Sequence, residues 1–201
     1  MTGFWKHDRM SLELILGPMF AGKSSAIQSI VRRHRVLGWP VCVITHTIDT
    51  RYSTDSVLVN HDQQSIPAIR SSVLLPLIDT PEFKESKLLV VEEAQFFSDL
   101  VPFVLSAVEK YQKHVVVVGL DGDAERCPFG RVLDLIPLCD KVTKLTAFCT
   151  DCGDSTPAIF TYSHIRNTDE STNIHVGGAE IYSALCRKHF MKRKLAGLEM
   201  L

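Results

Sequence analysis

The sequence predicts an α/β fold: a parallel sheet with helices on both faces, followed by a small metal-bound module. Three observations predict it. Residues Gly17 to Ser24 read Gly-Pro-Met-Phe-Ala-Gly-Lys-Ser, which is Gly, four residues, then Gly-Lys-Ser. Near-continuous apolar runs alternate with helical patterns along the first three quarters of the chain. The spacings Cys149-X-X-Cys152 and Cys186-X-X-His189 then suit two knuckles around one ion.

The elements follow in order. Leu12–Leu16 is an apolar run suited to a buried strand, and Ser24–Leu37 places Ile27, Ile30, Val31 and Leu37 close to one helical face. Gly38 stops that helix. Further strands are expected at Val41–Thr45, Leu88–Glu92, Val115–Gly119 and Val142–Thr146, with a second helix over Ser98–Tyr111. After Thr146 the texture turns polar, with the cysteine pairs bracketing a Thr/Asn/Asp/Ser-rich stretch and Gly177-Gly178. The expected organisation is an α/β nucleotide-binding domain over 10–146, a metal-bound module over 147–190 and a frayed tail over 191–201.

The strand, loop and helix around Gly17–Ser24 are the context a phosphate loop needs. Gly17 and Gly22 open conformations closed to other residues, so the loop Gly17, Pro18, Met19, Phe20, Ala21 and Gly22 can turn its N–H groups, which Pro18 lacks, toward phosphate. The helix N-terminus adds a favourable dipole. Lys23 is placed to reach the β- and γ-phosphates, and the Ser24 hydroxyl to ligate Mg²⁺. Leu88–Val91 then ends in Glu92-Glu93, and an acidic residue ending a neighbouring strand faces the metal in such proteins. Two carboxylates can divide the work, one holding the metal's water shell and the other meeting a substrate hydroxyl. Of Phe96 and Phe97, one can pack in the core while the other forms a wall for a base. Cys149, Cys152, Cys186 and His189 supply three thiolates and one imidazole, a closed set for structural Zn²⁺ that anchors the loop between the knuckles.

Composition narrows the classes. At 201 residues and 45% hydrophobic content the chain is long enough for one sizeable core, or for one domain plus a small module. A net charge of -1 carries no basic excess, so nucleic acid is not the expected partner. No apolar run approaches the roughly 20 residues of a membrane span, and the polar start does not read as a signal peptide. Six cysteines without a disulfide framework suit a reducing, cytosolic compartment.

Together these stretches resemble the type II thymidine kinases of cells and large DNA viruses. The resemblance spans about Leu12 to Phe190. It is carried by Gly17–Ser24, Asp49-Thr-Arg-Tyr52, Glu93-Ala-Gln-Phe-Phe97, Gly119-Leu-Asp-Gly122, Arg126-Cys-Pro-Phe-Gly130, Gly177-Gly-Ala-Glu-Ile-Tyr182 and the Cys149 to His189 set. It implies a P-loop NTPase fold of RecA-like type with a zinc-bound lasso, and transfer of the γ-phosphoryl of ATP to the 5′-hydroxyl of thymidine or deoxyuridine. By that resemblance Glu93 is the general base, Arg51 approaches phosphate, and Asp49 and Glu92 lie near the Mg²⁺ water shell with Ser24. The nucleoside pocket maps onto Met19, Phe96, Leu120, Phe129 and Tyr182. A loop of about Thr161 to Val176 would fold over thymine, with Thr161 lining the base and backbone near Val176 and Gly177 bonding to it. A homotetramer and inhibition by thymidine triphosphate are also implied.

The chain departs from the family pattern in four places. Glu92 stands where Asp is usual, Ala124 replaces a pocket aromatic, His189 replaces a common fourth Cys, and Tyr162-Ser163-His164 lacks a basic pair. Two rival readings follow from the residues. Glu92-Glu93-Ala94-Gln95 also resembles the acidic box of helicase-like ATPases, although the chain is short for a two-lobed motor and lacks a basic stripe. A non-catalytic nucleotide sensor is the other, opposed by the intact Lys23, Ser24 and Glu93.

Overall fold

The computed structural model of the chain describes residues 10–48, 57–59, 65–165 and 177–198. β1 (Ser11–Leu16) leads through the phosphate loop into α1 (Lys23–Val36), and β2 (Val41–His46) follows. A hairpin of β3 (Val57–Val59) and β4 (Ser65–Pro67) precedes β5 (Ile69–Ser71). Then come α2 (Pro81–Glu85), β6 (Leu88–Val91), α3 (Leu100–Leu105), β7 (His114–Gly119) and β8 (Lys141–Lys144). The main sheet runs β5-β2-β6-β7-β1-β8, and every pairing in it is parallel. The expected α/β fold is therefore present.

Burial on both faces explains the unbroken apolar strands. All four residues of β6 are buried, as are Val115–Val118 of β7. On one face Ile27 and Val31 of α1, one helical turn apart, pack with Ile15, Val43, Val90, Val116 and Val118. On the other, Phe83 of α2 and Leu100, Phe103 and Val104 of α3 pack with Leu14, Ile44, Leu89, Val91 and Val117. α1 stops where expected, with Gly38 at φ 71 receiving the turn.

Two local readings differ. The helix expected over Ser98–Tyr111 begins at Leu100 and widens into a π-turn at Ser106–Lys110. Asp99 does not cap it with its side chain; its Oδ2 instead accepts the amides of Leu74 and Leu75 at 2.8 Å each. β5 extends the sheet at its edge although Ile-Arg-Ser carries no clear strand pattern.

Behind β8 the chain forms a small unit with its own core. β9 (Ala147–Phe148) pairs antiparallel with β10 (Pro157–Ala158), and β11 (Phe160–Ser163) pairs antiparallel with β12 (Tyr182–Leu185). α4 (Arg187–Leu198) closes it. The tail expected to fray from 191 is thus helical to Leu198. Phe190 is fully buried in this core, and the Arg193 guanidinium grips the Asp151 carboxylate from two nitrogens. Those anchors hold the helix on both sides of residue 191. No described helix is long and apolar enough to cross a membrane.

At the N-terminal end of the strands, His114 lies between polar and aromatic neighbours. Its ring stacks on His34 at 5.4 Å and meets Trp39 edge-on at 6.4 Å. Ser11 Oγ binds its Nδ1, Glu13 Oε1 is 3.9 Å from its Nε2, and Asp140 acts on it from the β8 side. Burial holds His114 below its ordinary 6.5, with His34 adding to that and Glu13 and Asp140 opposing it. A depressed folded value means that the unfolded chain takes up the proton first, so the neutral ring's stabilisation is present above about 6.5 and is lost as pH falls toward the folded value. The melting temperature is expected to drop on acidification below that point, and His114→Gln to flatten the slope in a pH series of thermal melts.

Candidate active site

The phosphate loop leaves the C-terminal end of β1. Gly17 presses against the Leu145 carbonyl, where an added Cβ would stand 2.5 Å from the oxygen. No side chain fits that approach. The first intrahelical bond of α1 runs from the Ala26 amide to the Gly22 carbonyl at 3.0 Å. The amides of Lys23, Ser24 and Ser25 precede it and point past the helix end, as an anion site requires. Lys23 Nζ donates to the carbonyls of Gly17 at 3.1 Å and Pro18 at 2.8 Å. The ammonium therefore sits across the mouth of the loop.

β7 lies between β1 and β6, so the strand ends carrying the loop and the carboxylates are two spacings apart, roughly 10 Å. Side chains close that gap. Ser24 Oγ donates to Glu92 Oε1 at 3.0 Å, and Glu92 is only 6% exposed. The hydroxyl and the carboxylate expected near Mg²⁺ are thus adjacent, and both are the hard oxygen donors such a cation takes. Glu93 follows in the left-handed region at φ 51, ψ 39, rare for a residue with a side chain. Backbone strain of this kind collects where function needs an unusual direction.

Gln95 holds Glu93 and was not singled out by the sequence reading. Its Nε2 donates to Glu93 Oε2 at 2.6 Å, while its Oε1 accepts the Leu120 amide at 3.0 Å. Gln95 is 4% exposed, and both ends of its amide are matched, as burial demands. Gly130, at φ 58, lets its loop lie on Gln95: a Cβ there would come within 2.0 Å of the Gln95 carbonyl. The signal in the sequence was a lone amide inside Ala94-Gln95-Phe96-Phe97, an apolar stretch where a polar side chain needs named partners.

The same contacts gather the residues mapped to the nucleoside side. Phe97 is core, whereas Phe96 is half-buried and meets Phe129 edge-on at 5.4 Å. Leu120 is tied to Gln95, and Phe129 precedes Gly130 on the loop that covers it. His46, at the end of β2, was also missed: its ring lies 4.8 Å from Phe97 and 5.5 Å from Phe96. Its Nδ1 accepts the Ile48 amide at 3.1 Å, and burial lowers its pKa. Ala124 sits half-buried in a turn whose Glu125 and Cys127 amides bind Asp123 Oδ1. Met19 and Thr161 meet directly, the Met19 amide donating to Thr161 Oγ1 at 3.0 Å. Thr161 lies in β11 and is buried, so the loop expected from Thr161 starts later, beyond Ser163. Tyr182 opens β12 opposite Ser163, and Gly178 accepts its amide at 2.9 Å, one residue after Gly177. Asp49, Arg51 and Val176 lie outside the described residues.

Cys149, Cys152, Cys186 and His189 come together, with one ligand atom from each within 4.8 Å of the others. His189 presents Nδ1, which is 3.5 Å from Cys149 Sγ, 3.2 Å from Cys152 Sγ and 3.5 Å from Cys186 Sγ. Cys152 and Cys186 are 3.9 Å apart. A tetrahedral zinc with bonds of about 2.3 Å to sulfur and about 2.05 Å to nitrogen requires S···N near ~3.5 Å and S···S near ~3.8 Å. The cluster has that size and chemistry. Burial pushes the Cys149 thiol up, but the Cys186 amide and the His189 ring outweigh it and bring it to about 6. Burial and the neighbouring sulfurs push Cys152 to about 11. One thiolate thus opposes the next, a conflict that a divalent cation removes.

With this geometry in view, comparison with known proteins decides the family. The family model described as Thymidine kinase matches residues 10–190. The chain belongs to the thymidine kinase family. It is 39% identical over 187 residues to "Thymidine kinase a" of Arabidopsis thaliana, covering 90% of this chain and 75% of that one. The human "Thymidine kinase, cytosolic" is 35% identical over 193 residues, with 96% and 78% covered. The Raccoon poxvirus "Thymidine kinase" is 35% identical over 180 residues, with 90% and 96% covered. Among solved structures the chain aligns with the Legionella pneumophila ATPase DotB at TM-score 0.32 and 18% identity, over 63% of this chain and 37% of that one. An overlap that small bears on neither fold nor function.

Metal analysis checks the cysteine cluster. The purified chain is expected to carry one zinc per subunit, and Cys152→Ser to lose most of it. The zinc should also leave on acidification, because thiolates must be protonated as it departs.

Proposed function

We propose that this chain transfers the γ-phosphoryl group of ATP to the 5′-hydroxyl of thymidine, and of deoxyuridine, giving the nucleoside monophosphate in nucleotide salvage. The observation that carries the reading is the joined array Ser24–Glu92 and Glu93–Gln95, set at the mouth of the phosphate loop. A phosphate site alone would need only the loop. A second carboxylate, turned by a left-handed backbone and braced by a buried amide, is what an acceptor hydroxyl requires.

The roles follow from position. Gly17, Pro18, Met19, Phe20, Ala21 and Gly22 shape the donor loop, and Lys23 bears on the β- and γ-phosphates. Arg51 and Asp49 join the phosphate and metal side by resemblance. Ser24 and Glu92 hold the Mg²⁺ region; magnesium bound with ATP neutralises charge on the phosphates. Glu93 is the general base. Gln95 donates to its Oε2 and orients the carboxylate toward the incoming hydroxyl. Glu93 takes that proton as the 5′-oxygen bonds to the γ-phosphorus, and the bond to the β,γ-bridging oxygen breaks to release ADP. Met19, Phe96, Leu120, Phe129, Thr161, Val176, Gly177 and Tyr182 form the nucleoside side. Cys149, Cys152, Cys186 and His189 hold structural Zn²⁺. A cytoplasmic location, a homotetramer and inhibition by thymidine triphosphate complete the reading, supported by the family.

Transfer of label from [γ-³²P]ATP to a nucleoside panel tests this, with thymidine and deoxyuridine expected as acceptors. DNA-stimulated hydrolysis without transfer would instead favour a motor. Glu93→Gln is expected to lower kcat by about 10²–10⁴ while a non-hydrolysable ATP analogue still binds. Gln95→Met keeps the volume but loses the bond to a charged partner. It should lower kcat by about 10- to 100-fold and leave the KM for ATP within about twofold.

A further inference from the structure

The donor loop is bound to the metal-bound unit as well as to its own sheet. Three contacts make the link. Gly17 lies on the Leu145 carbonyl, two residues before β9. Ala21 packs against the core formed by Ala147, Cys149, Ala184 and Phe190. Between them, the Met19 amide donates to Thr161 Oγ1 at 3.0 Å. Thr161 is 4% exposed, so this hydroxyl is held by its surroundings rather than swinging in solvent.

Thr161 is in turn tied to the cysteine cluster through backbone. It pairs with Ala184 across β11 and β12, and Cys186 comes two residues further along that strand's path. The Ala184 carbonyl also accepts the Thr150 amide at 3.1 Å, which joins it to the Cys149–Cys152 knuckle. A side chain fixed at the metal end therefore grips the crest of the phosphate loop.

We propose that Thr161 is a positioning residue for ATP, whose hydroxyl fixes the crest of the donor loop by accepting the Met19 amide. This rests on the reading of Gly17–Ser24 as the ATP site. A threonine hydroxyl accepts and donates at once, so Oγ1 can receive the Met19 amide and still offer its proton to a nucleoside. One side chain then adjusts donor and acceptor together. The loop amide pledged to Thr161 cannot wander toward a phosphate, and the helix-end amides are left to do that binding.

Thr161→Val keeps the shape and removes the acceptor, whereas Thr161→Ser keeps it. Each is titrated with Mg²⁺ and a non-hydrolysable ATP analogue, without nucleoside, by calorimetry. Loss of one hydrogen bond predicts about fivefold weaker analogue binding for Thr161→Val, near-normal binding for Thr161→Ser, and a full zinc complement in both. Analogue affinity unchanged in Thr161→Val, with only thymidine affinity lost, would overturn the proposal and leave Thr161 as a nucleoside contact alone. Failure of the wild-type chain to bind the analogue would overturn the ATP reading itself, and the proposal with it. If Thr161→Val does not fold, hydrogen exchange of the Met19 amide in the wild type decides: strong protection supports the bond, and exchange at the open-chain rate overturns it.

Discussion

The parallel insertion of β7 between β1 and β6 sets the problem that the rest of the structure answers. It places the phosphate loop and the carboxylates at the same C-terminal edge, where ligands of α/β sheets bind. It also separates them by a strand's width on each side. The Ser24–Glu92 bond spans the gap directly. Gln95 spans it from Glu93 to the backbone just beyond β7, at Leu120. The two-methylene side chain of Glu92 reaches across to Ser24.

Buried polar side chains do this joining because their alternatives are costly. An amide closed off from water must keep its partners or lose the full desolvation cost. Gln95 therefore cannot turn away from Glu93 without stranding both ends of its amide. The glycines beside it make the enclosure complete: Gly119 and Gly130 leave room for the Gln95 side chain and backbone where any Cβ would collide. Glu93 is consequently held in a left-handed conformation that a free chain would avoid.

The small unit behind β8 extends the same logic. Its sulfur and imidazole groups come from two distant knuckles and gather in one cluster, so a metal held there would fix both ends of the segment between them. α4 then locks down through Phe190, and Arg193 reaches the Tyr162 ring at 5.2 Å and Asp151. A basic side chain from α4 thereby approaches the Tyr162-Ser163-His164 segment. Arg126 adds a second tie, lying 4.9 Å over the Phe190 ring from the loop that carries Ala124 and Phe129.

The sequence by itself determined the Gly17–Ser24 loop between strand and helix, the five strands of the sheet's centre and far edge, the Glu92-Glu93 pair at a strand end and the two knuckles of the Cys149, Cys152, Cys186 and His189 cluster. Each depends on local spacing: Gly-X₄-Gly-Lys-Ser before a helix, near-continuous apolar runs, and knuckles of fixed length. The short edge strand β5 was not legible, because one neighbour and three residues leave little pattern. The helical course of 191–198 was missed because its basic surface reads as solvated tail, while its anchors, Phe190 and the Arg193–Asp151 pair, act across the fold. Gln95 and His46 were missed for the same reason. Leu120 and Phe97, which they meet, lie on other segments of the chain, and nothing in the chain order announces those contacts. Only the tertiary structure decided that Glu92 meets Ser24, that Gln95 braces Glu93, and that Thr161 holds Met19. The first and last join residues far apart in sequence, Gln95 is placed by its distant bond to Leu120, and the energy that selects these contacts comes from burying polar groups with matched partners.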